Sequence, residues 1–318
     1  MNQFDTALTS MLGIPYPIIM APMFLVSTPK MLIEASKAGI AGAIPALNFR
    51  TDEDFRKALS ETKEGCHGKA YGVNLIGNKS NIHFNEQLKT CVEFEVPFII
   101  TSLGSPQQVI EACRPKGMKV FCDVIDLNYA QKVEAMGADA LIAVNNEAGG
   151  HAGNLTPAEL ITLLKKECKI PIISAGGVGT RADIDKMLAL GACGVSVGSP
   201  YIASIEAPVS HDYKQAIVDY GAKDIVRTTK ISGTPCTVIN TPYVQKVGLQ
   251  QNWVESVLTK NKSLKKWVKM LTYYKGMKAL EKAAFSANYQ TYWCAGKSIE
   301  NVHSIRSIAA ITNDLVAG

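Results

Sequence analysis

Eight times between Tyr16 and Gly198 a short apolar run recurs, and a helically patterned segment separates each run from the next. The runs are Tyr16–Met23, Ile40–Ala46, Ala70–Ile76, Pro97–Leu103, Lys119–Ile125, Ala138–Asn145, Pro171–Gly177 and Ala192–Gly198. The segments between them are Thr28–Gly39, Thr51–Glu64, Asn81–Glu95, Ser105–Lys116, Leu127–Gly137, Thr156–Cys168 and Arg181–Gly191. Strands apolar on both faces need cover on both sides, and intervening helices make such a sheet parallel. A doubly wound sheet could hold several of these units. Eight favour closure, so the fold class is α/β, a TIM (β/α)8 barrel.

Local signals support the helices. Thr28 followed by Pro29, and Thr156 followed by Pro157, are N-cap and first-turn pairs, and Gly39 stands just past a helix end. Thr51 and Asp54 have capping-box spacing. Met136-Gly-Ala-Asp-Ala140 and Leu190-Gly-Ala-Cys-Gly194 repeat one helix-to-strand turn. After Gly198 the rhythm stops. Three parts result: a barrel core over 1–202, a helical and loop subdomain or lid over 203–284 without clear strands, and 285–318, where a helix near Val302–Val316 returns to the barrel. Ser232–Pro242 is turn-rich and is not expected to be helical.

Composition excludes several classes. With 47% hydrophobic and 19% charged residues, the 318-residue chain can bury a large core. A net charge of +5 is too small to imply nucleic acid, and its basic surplus, concentrated at Lys260–Lys282, reads as a solvated helix face. No apolar run is long enough for a membrane span, and Met1–Leu12 lacks the basic start of a secretory signal, so the expected location is cytoplasmic. The eight cysteines form no CxxC pair, which predicts free thiols and no metal site.

In a barrel the chemistry sits at the C-terminal strand ends. The ends of the seventh and eighth runs are Ser174-Ala-Gly-Gly-Val-Gly179 and Ser196-Val-Gly-Ser199. Glycine lets a phosphate approach the backbone, and paired loops after strands seven and eight are the usual barrel phosphate grip. The bland alternative is that these glycines only make tight turns. The sixth run leads into Glu147-Ala-Gly-Gly-His-Ala-Gly153. Of five histidines only His151 falls at a strand end, and its flanking glycines leave the imidazole open for proton transfer. No G-x-S-x-G elbow and no early G-x-G-x-x-G fingerprint is present. No cysteine stands at a catalytic strand end unless Cys122, beside Asp123 in the fifth run, is one.

Taken together, Pro17-Ile-Ile-Met-Ala-Pro-Met23, Tyr71-Gly-Val-Asn74, the Gly-Gly-His151 loop, Ser174-Ala-Gly-Gly177, Val197-Gly-Ser199 and Tyr292-Trp-Cys-Ala-Gly-Lys297 resemble the nitronate monooxygenase (2-nitropropane dioxygenase) family along nearly the whole chain. Flavin-dependent enoyl-ACP reductases share that fold and the Gly-Gly-His loop. The resemblance implies FMN at the barrel mouth. Ala21, Pro22 and Met23 would line its ring and Asn74 would bond it, with Gly149 and Gly150 beside it. Gly176, Gly177, Gly198 and Ser199 would hold the phosphate, and His151 would be the catalytic residue. Relatives carry Gln or Glu where this chain has Val144, so one polar flavin contact is either missing or taken over by Asn145 or Asn146. The arginine that relatives carry after strand eight is absent from Val197-Gly-Ser-Pro-Tyr201, and Lys297 replaces a glutamine. The implied activity is oxidation of nitronates or nitroalkanes by dioxygen to carbonyl compounds and nitrite. The alternatives are an NAD(P)H-dependent reductase of an enoyl thioester or quinone, and a flavin-binding protein without significant turnover. The expected partners are a small-molecule substrate and dioxygen, with NAD(P)H under the reductase reading and neither nucleic acid nor membrane. Oligomeric state stays open, a homodimer being one option.

Overall fold

A run of residues buried on both faces can only be a strand inside a shell, and the apolar runs form that structure. In a computed structural model, which describes residues 4–78, 81–230, 235–250 and 292–317, they become β1 (Ile18–Met20), β2 (Ala41–Pro45), β3 (Tyr71–Ile76), β4 (Phe98–Ser102), β5 (Lys119–Val124), β6 (Ala140–Val144), β7 (Ile172–Ala175) and β8 (Gly194–Val197). All pair in parallel in chain order, and β1 closes the barrel against β8, with Ile19 opposite Ser196.

Successive strand residues face opposite sides. Ile19, Ala41, Ala43, Phe98, Ile100, Phe121, Ala140, Ile142, Ile173 and Ala175 point inward and fill the barrel as one apolar cluster. Gly72 and Gly194 leave room for large neighbours. A Cβ on Gly72 would stand 2.2 Å from the Phe98 ring, and one on Gly194 2.3 Å from Leu8. Two residues beyond the inward Gly72, Ile100, Phe121, Ile142 and Gly194 stand Asn74, Ser102, Asp123, Val144 and Ser196. The same alternation therefore brings these five to the C-terminal mouth.

The helices are α1 (Ala7–Leu12), α2 (Pro29–Lys37), α3 (Asp52–Cys66), α4 (Phe84–Glu93), α5 (Gln107–Cys113), α6 (Leu127–Met136), α7 (Pro157–Glu167), α8 (Arg181–Ala189), α9 (Ser199–Ile202), α10 (His211–Asp219), α11 (Pro242–Val247) and a last helix Ile308–Val316. Thr28 and Thr156 cap as expected, and Thr156 forms a full capping box with Glu159. At Thr51 only half the box forms. Its hydroxyl accepts from Asp54 N–H at 3.1 Å, but the Asp54 carboxylate takes the hydroxyl proton instead of the Thr51 N–H. The last helix packs between α8 and α2 and completes the ring, though it starts later than expected because Ser307 is its cap. The helix α1 was not anticipated. Its Leu8, fully buried, plugs the N-terminal end of the barrel.

One expectation is overturned. The segment 203–284 does contain strands: β9 (Ile225–Thr228) and β10 (Cys236–Ile239) form an antiparallel pair. Their β-branched residues Ile225, Val226, Thr228, Thr237, Val238 and Ile239 suit a pleated surface. The described part of Ser232–Pro242 is non-helical until Pro242, where α11 begins. The stretch Lys260–Lys282 and the rest of the segment up to 284 lie outside the described residues. All eight cysteines are free thiols. No helix among the described residues is long and apolar enough to cross a membrane.

Phe98 is fully buried and stacks on Phe121 with ring centroids 5.3 Å apart. Gly72→Ala should therefore overpack the barrel and destabilise it by about 1–3 kcal/mol. Denaturant titration reads this as a lower midpoint at constant slope. An unchanged midpoint would mean that the Phe98 ring gives way freely.

Candidate active site

At the C-terminal mouth of the barrel lies a cavity of about 860 Å³. All eleven residues singled out above, Ala21, Pro22, Met23, Asn74, Gly149, Gly150, His151, Gly176, Gly177, Gly198 and Ser199, border it. Folding thus brings together segments spread over most of the barrel sequence.

On the β7–β8 side, Gly176 and Gly177 have φ of +111° and +81°, a region that L side chains rarely adopt. A Cβ on Gly176 would meet Asn145 Oδ1 at 2.4 Å, and one on Gly177 would meet Glu147 Oε2 at 2.2 Å. These two glycines are needed by the chain itself, whatever they bind. Gly198 differs: its φ is −112°, and its Cβ would make only ordinary contacts with Ala21 and Met23, at 3.5 Å and beyond. The N–H groups of Gly177, Gly198 and Ser199 make no hydrogen bond among the described residues. The Ser199 hydroxyl accepts from Gly296 N–H at 2.8 Å and keeps its own proton to donate.

The His151 loop is braced from two directions. From β10, Thr237 pairs with Gly150 through its backbone, N–H to O at 2.8 Å, and its hydroxyl donates to Ala148 O at 2.6 Å. From β9, Arg227 donates to Asn154 Oδ1 at 2.8 Å and to Gly153 O. From the other side comes the Tyr292–Lys297 stretch. Lys297 N–H donates to Glu147 O at 3.0 Å, and a Cβ on Gly149 would lie 2.9 Å from Gly296 N. Trp293, fully buried, stacks on Tyr213 at 5.6 Å and anchors that stretch. His151 itself is exposed at the cavity mouth, yet the loops around it desolvate the ring enough to lower its pKa from the ordinary histidine value, which favours the neutral imidazole near neutral pH.

Opposite the glycines, the floor is polar. Asn74 Nδ2 donates to Ser102 Oγ at 2.7 Å and to Ile100 O at 3.2 Å, and Ser102 Oγ donates to Asp123 Oδ2 at 2.5 Å. Asp123 is enclosed by protein on every side but the cavity. Burial pushes its carboxyl up to about 6, against the smaller opposing effect of the Ser102 hydrogen bond. Asn145 and Asn146 follow Val144 in sequence but do not join it in the cavity wall. Asn145 is buried and committed to Gly176 O and Glu147 N–H, and neither asparagine borders the cavity. The carboxylate stands one strand away, on β5. Tyr201, in the position after Pro200, turns into the core and bonds Thr312 at 3.0 Å, while Lys297 lies 3.6 Å from Glu147.

Sequence reading also missed Cys236 and Cys294. They line the cavity with their sulfurs 3.7 Å apart, although 58 positions separate them. Nothing local marks either residue. Cys122 faces away from the cavity, and burial drives its thiol to about 12, so it is no nucleophile.

The comparisons fit this geometry. The family model described as nitronate monooxygenase matches residues 44–318. A nitronate monooxygenase of Paraburkholderia phytofirmans is 30% identical over 272 residues, covering 71% of this chain and 74% of the relative. The (3aS,4S,5R,7aS)-5-hydroxy-7a-methyl-1-oxo-octahydro-1H-indene-4-carboxyl-CoA dehydrogenase of Rhodococcus jostii is 27% identical over 247 residues, covering 78% of this chain and 69% of the relative. The structure of FabK from Thermotoga maritima superposes with a TM-score of 0.85 at 29% identity, covering 98% of this chain and 95% of that one.

A carboxyl group with a raised native pKa binds its proton more tightly folded than unfolded. The cost of ionising Asp123 is therefore present above pH 6 and is relieved as pH falls toward the ordinary value of 3.8. Asp123→Asn removes that cost. The variant should gain up to about 3 kcal/mol over the wild type at neutral pH, and the gain should vanish at about pH 4. Thermal unfolding across pH measures it. A constant difference would mean that Asp123 ionises normally.

Proposed function

We propose that this chain, which belongs to the nitronate monooxygenase family, binds FMN across the barrel mouth and oxidises nitronates or nitroalkanes with dioxygen to carbonyl compounds and nitrite. Family membership makes it a flavin-dependent oxidoreductase. The observation that carries the finer reading is the convergence on one cavity of the His151 loop and of the Gly177, Gly198 and Ser199 N–H groups, which bond no described residue of the chain.

The residues fit a mononucleotide. Donor N–H groups at Gly177, Gly198 and Ser199 suit a phosphate, and the absence of a side chain on Gly198 keeps their approach open. Ala21, Pro22 and Met23 would border the ring, with Asn74 as a polar contact and Gly149 and Gly150 at its side. Bound FMN would supply the electron transfer and the dioxygen chemistry. The chain's own part is position and proton transfer. His151, neutral in its desolvated loop, would take the α-proton of a nitroalkane at its imidazole nitrogen. The clamp from β10 and the Tyr292–Lys297 stretch would hold that imidazole in place.

A second reading, an NAD(P)H-dependent reductase of a thioester or quinone, draws on the likeness to the Rhodococcus jostii carboxyl-CoA dehydrogenase. Anaerobic mixing of the purified protein with NADH, NADPH or a nitronate separates the two. Bleaching of the flavin by nitronate alone supports the monooxygenase, and rapid bleaching by a nicotinamide overturns it.

Two variants test the residues. Gly198→Asp places a carboxylate in the cradle without a clash in the chain, so the protein should fold and be purified colourless, with circular dichroism unchanged and acid-released FMN lost. Full flavination would remove Gly198 from the phosphate site. Gly177→Asp is a poorer probe, since strain at its positive φ would damage the loop by itself.

His151→Asn should lower turnover of a neutral nitroalkane by about a hundred- to ten-thousand-fold and largely spare the preformed nitronate, which has already lost its proton. Oxygen uptake on freshly prepared solutions of each form reads the split. Equal losses on both would assign His151 to binding.

A further inference from the structure

Asp123 has no role in the mechanism above, yet it is the most unusual side chain in the cavity. Its chain of hydrogen bonds runs one way. Both Asn74 amide protons are used, on Ser102 Oγ and Ile100 O, and the Ser102 proton is used on Asp123 Oδ2. Asn74 Oδ1 and Asp123 Oδ1 keep their acceptor capacity, and both residues line the cavity. No lysine or arginine among the described residues lines the cavity to neutralise that carboxylate.

On β5, Cys122 points the other way into the outer core. On β4 stand Thr101 and Ser102, and on β6 Ile142 and Val144, none of which titrates. Beyond β5 come Asp126 and, on α6, Tyr129, whose hydroxyl donates to Gly104 O and whose ionisation the Asp123 charge opposes. His151 and Glu147 lie on the same cavity's wall. The surroundings are neutral or acidic, apart from the one imidazole.

Position says what such a carboxyl would meet. In an eight-stranded barrel, strands three and four lie diametrically across from seven and eight. A mononucleotide held by its phosphate at Gly177, Gly198 and Ser199 would have Asn74, Ser102 and Asp123, on β3, β4 and β5, available to its far end. The pyrimidine edge of a flavin offers an N–H donor between two carbonyl acceptors, and it gains negative charge on reduction. An ionised Asp123 can accept the N–H but opposes that charge, whereas a neutral Asp123 does not oppose it and can donate.

We propose that Asp123 ties the reduction potential of the bound flavin to pH, holding the potential down when ionised and releasing it when protonated. This rests on the FMN reading given above. The midpoint of the switch would fall where burial places the Asp123 carboxyl, at about 6. Asp123 is thus a tuning residue that acts through its charge and takes no part in electron transfer.

The test is redox titration of the holo-protein with dithionite against an indicator dye, from about pH 5 to pH 8, for the wild type and Asp123→Asn. At high pH the wild type should bind reduced flavin at least tenfold more weakly, relative to oxidised flavin, than the variant does. For a two-electron couple that is a potential lower by about 30 mV. The gap should close as pH falls below 6, where both side chains are neutral. Ser102→Ala keeps the carboxyl and removes the hydrogen bond that favours its ionised form, so its potential should exceed that of the wild type over the pH range in which its carboxyl is protonated and that of the wild type is not. That variant decides the matter if Asp123→Asn loses its flavin. Equal potentials for wild type and variants at every pH would overturn the proposal and leave FMN binding standing. A wild type without flavin would instead overturn the reading beneath it.

Discussion

Closure of β1 on β8 is the constraint on which every other feature depends. Ile18, Ile19 and Met20 pair with Val195, Ser196 and Val197, and the ring of hydrogen bonds leaves no strand edge among β1–β8. Once the ring is closed, every strand has one row of side chains inside. Inside space is scarce, so Gly72 makes room for Phe98, which stacks on Phe121, and Gly194 makes room for Leu8. The same rows, continued two residues toward the C-terminal end, deliver Asn74, Ser102, Asp123, Val144 and Ser196 to the mouth. The polar floor of the cavity and the apolar filling of the barrel are one alternation seen at two heights.

The mouth is held by segments that come from outside the barrel. Thr237 on β10 and the Tyr292–Lys297 stretch approach the Glu147–Gly153 loop from different sides. Their backbones come close enough that Gly149 and Gly296 tolerate no side chain. Glycine in this loop therefore has two jobs. It opens the imidazole to a ligand at Gly150, where a Cβ would meet nothing, and it permits main-chain contact at Gly149. Loop glycines commonly suggest flexibility, but here the main chain of the loop is packed against Gly296 at Gly149 and hydrogen-bonded to Thr237 at Gly150.

Charge is distributed unevenly around this mouth. One wall presents N–H donors at Gly177, Gly198 and Ser199, with the Glu147 carboxylate beside Gly177 and within 3.6 Å of Lys297, while the floor presents Asn74 and Asp123. An anion is favoured at the first and disfavoured at the second. A ligand that is anionic at one end and neutral, with a donor, at the other is the shape that matches.

The barrel was legible because its signals are local and repeated. Caps such as Thr28 and Thr156 bond three residues away, and strand alternation needs only neighbours. The glycine loops and His151 were legible because barrel topology sends all C-terminal strand ends to one mouth. The strands of Ile225–Thr228 and Cys236–Ile239 were not, since four-residue runs in a turn-rich segment carry little periodicity. Nor was the placing of a carboxylate beside Val144. Asn145 and Asn146 are its neighbours in sequence and lie off the cavity, whereas Asp123 on the adjacent strand lines it, brought alongside by register. By itself the sequence determined the eight strand–helix units of the barrel, their order and the candidate site residues at the strand ends, because each follows from contacts within a few residues. Only the tertiary structure decided which of those ends are braced and which are charged. Contacts such as Thr237 with Gly150, Cys236 with Cys294 and Gly149 with Gly296 join residues 58 to 147 positions apart. Such pairs exist only after the core has packed and closed the loops between them.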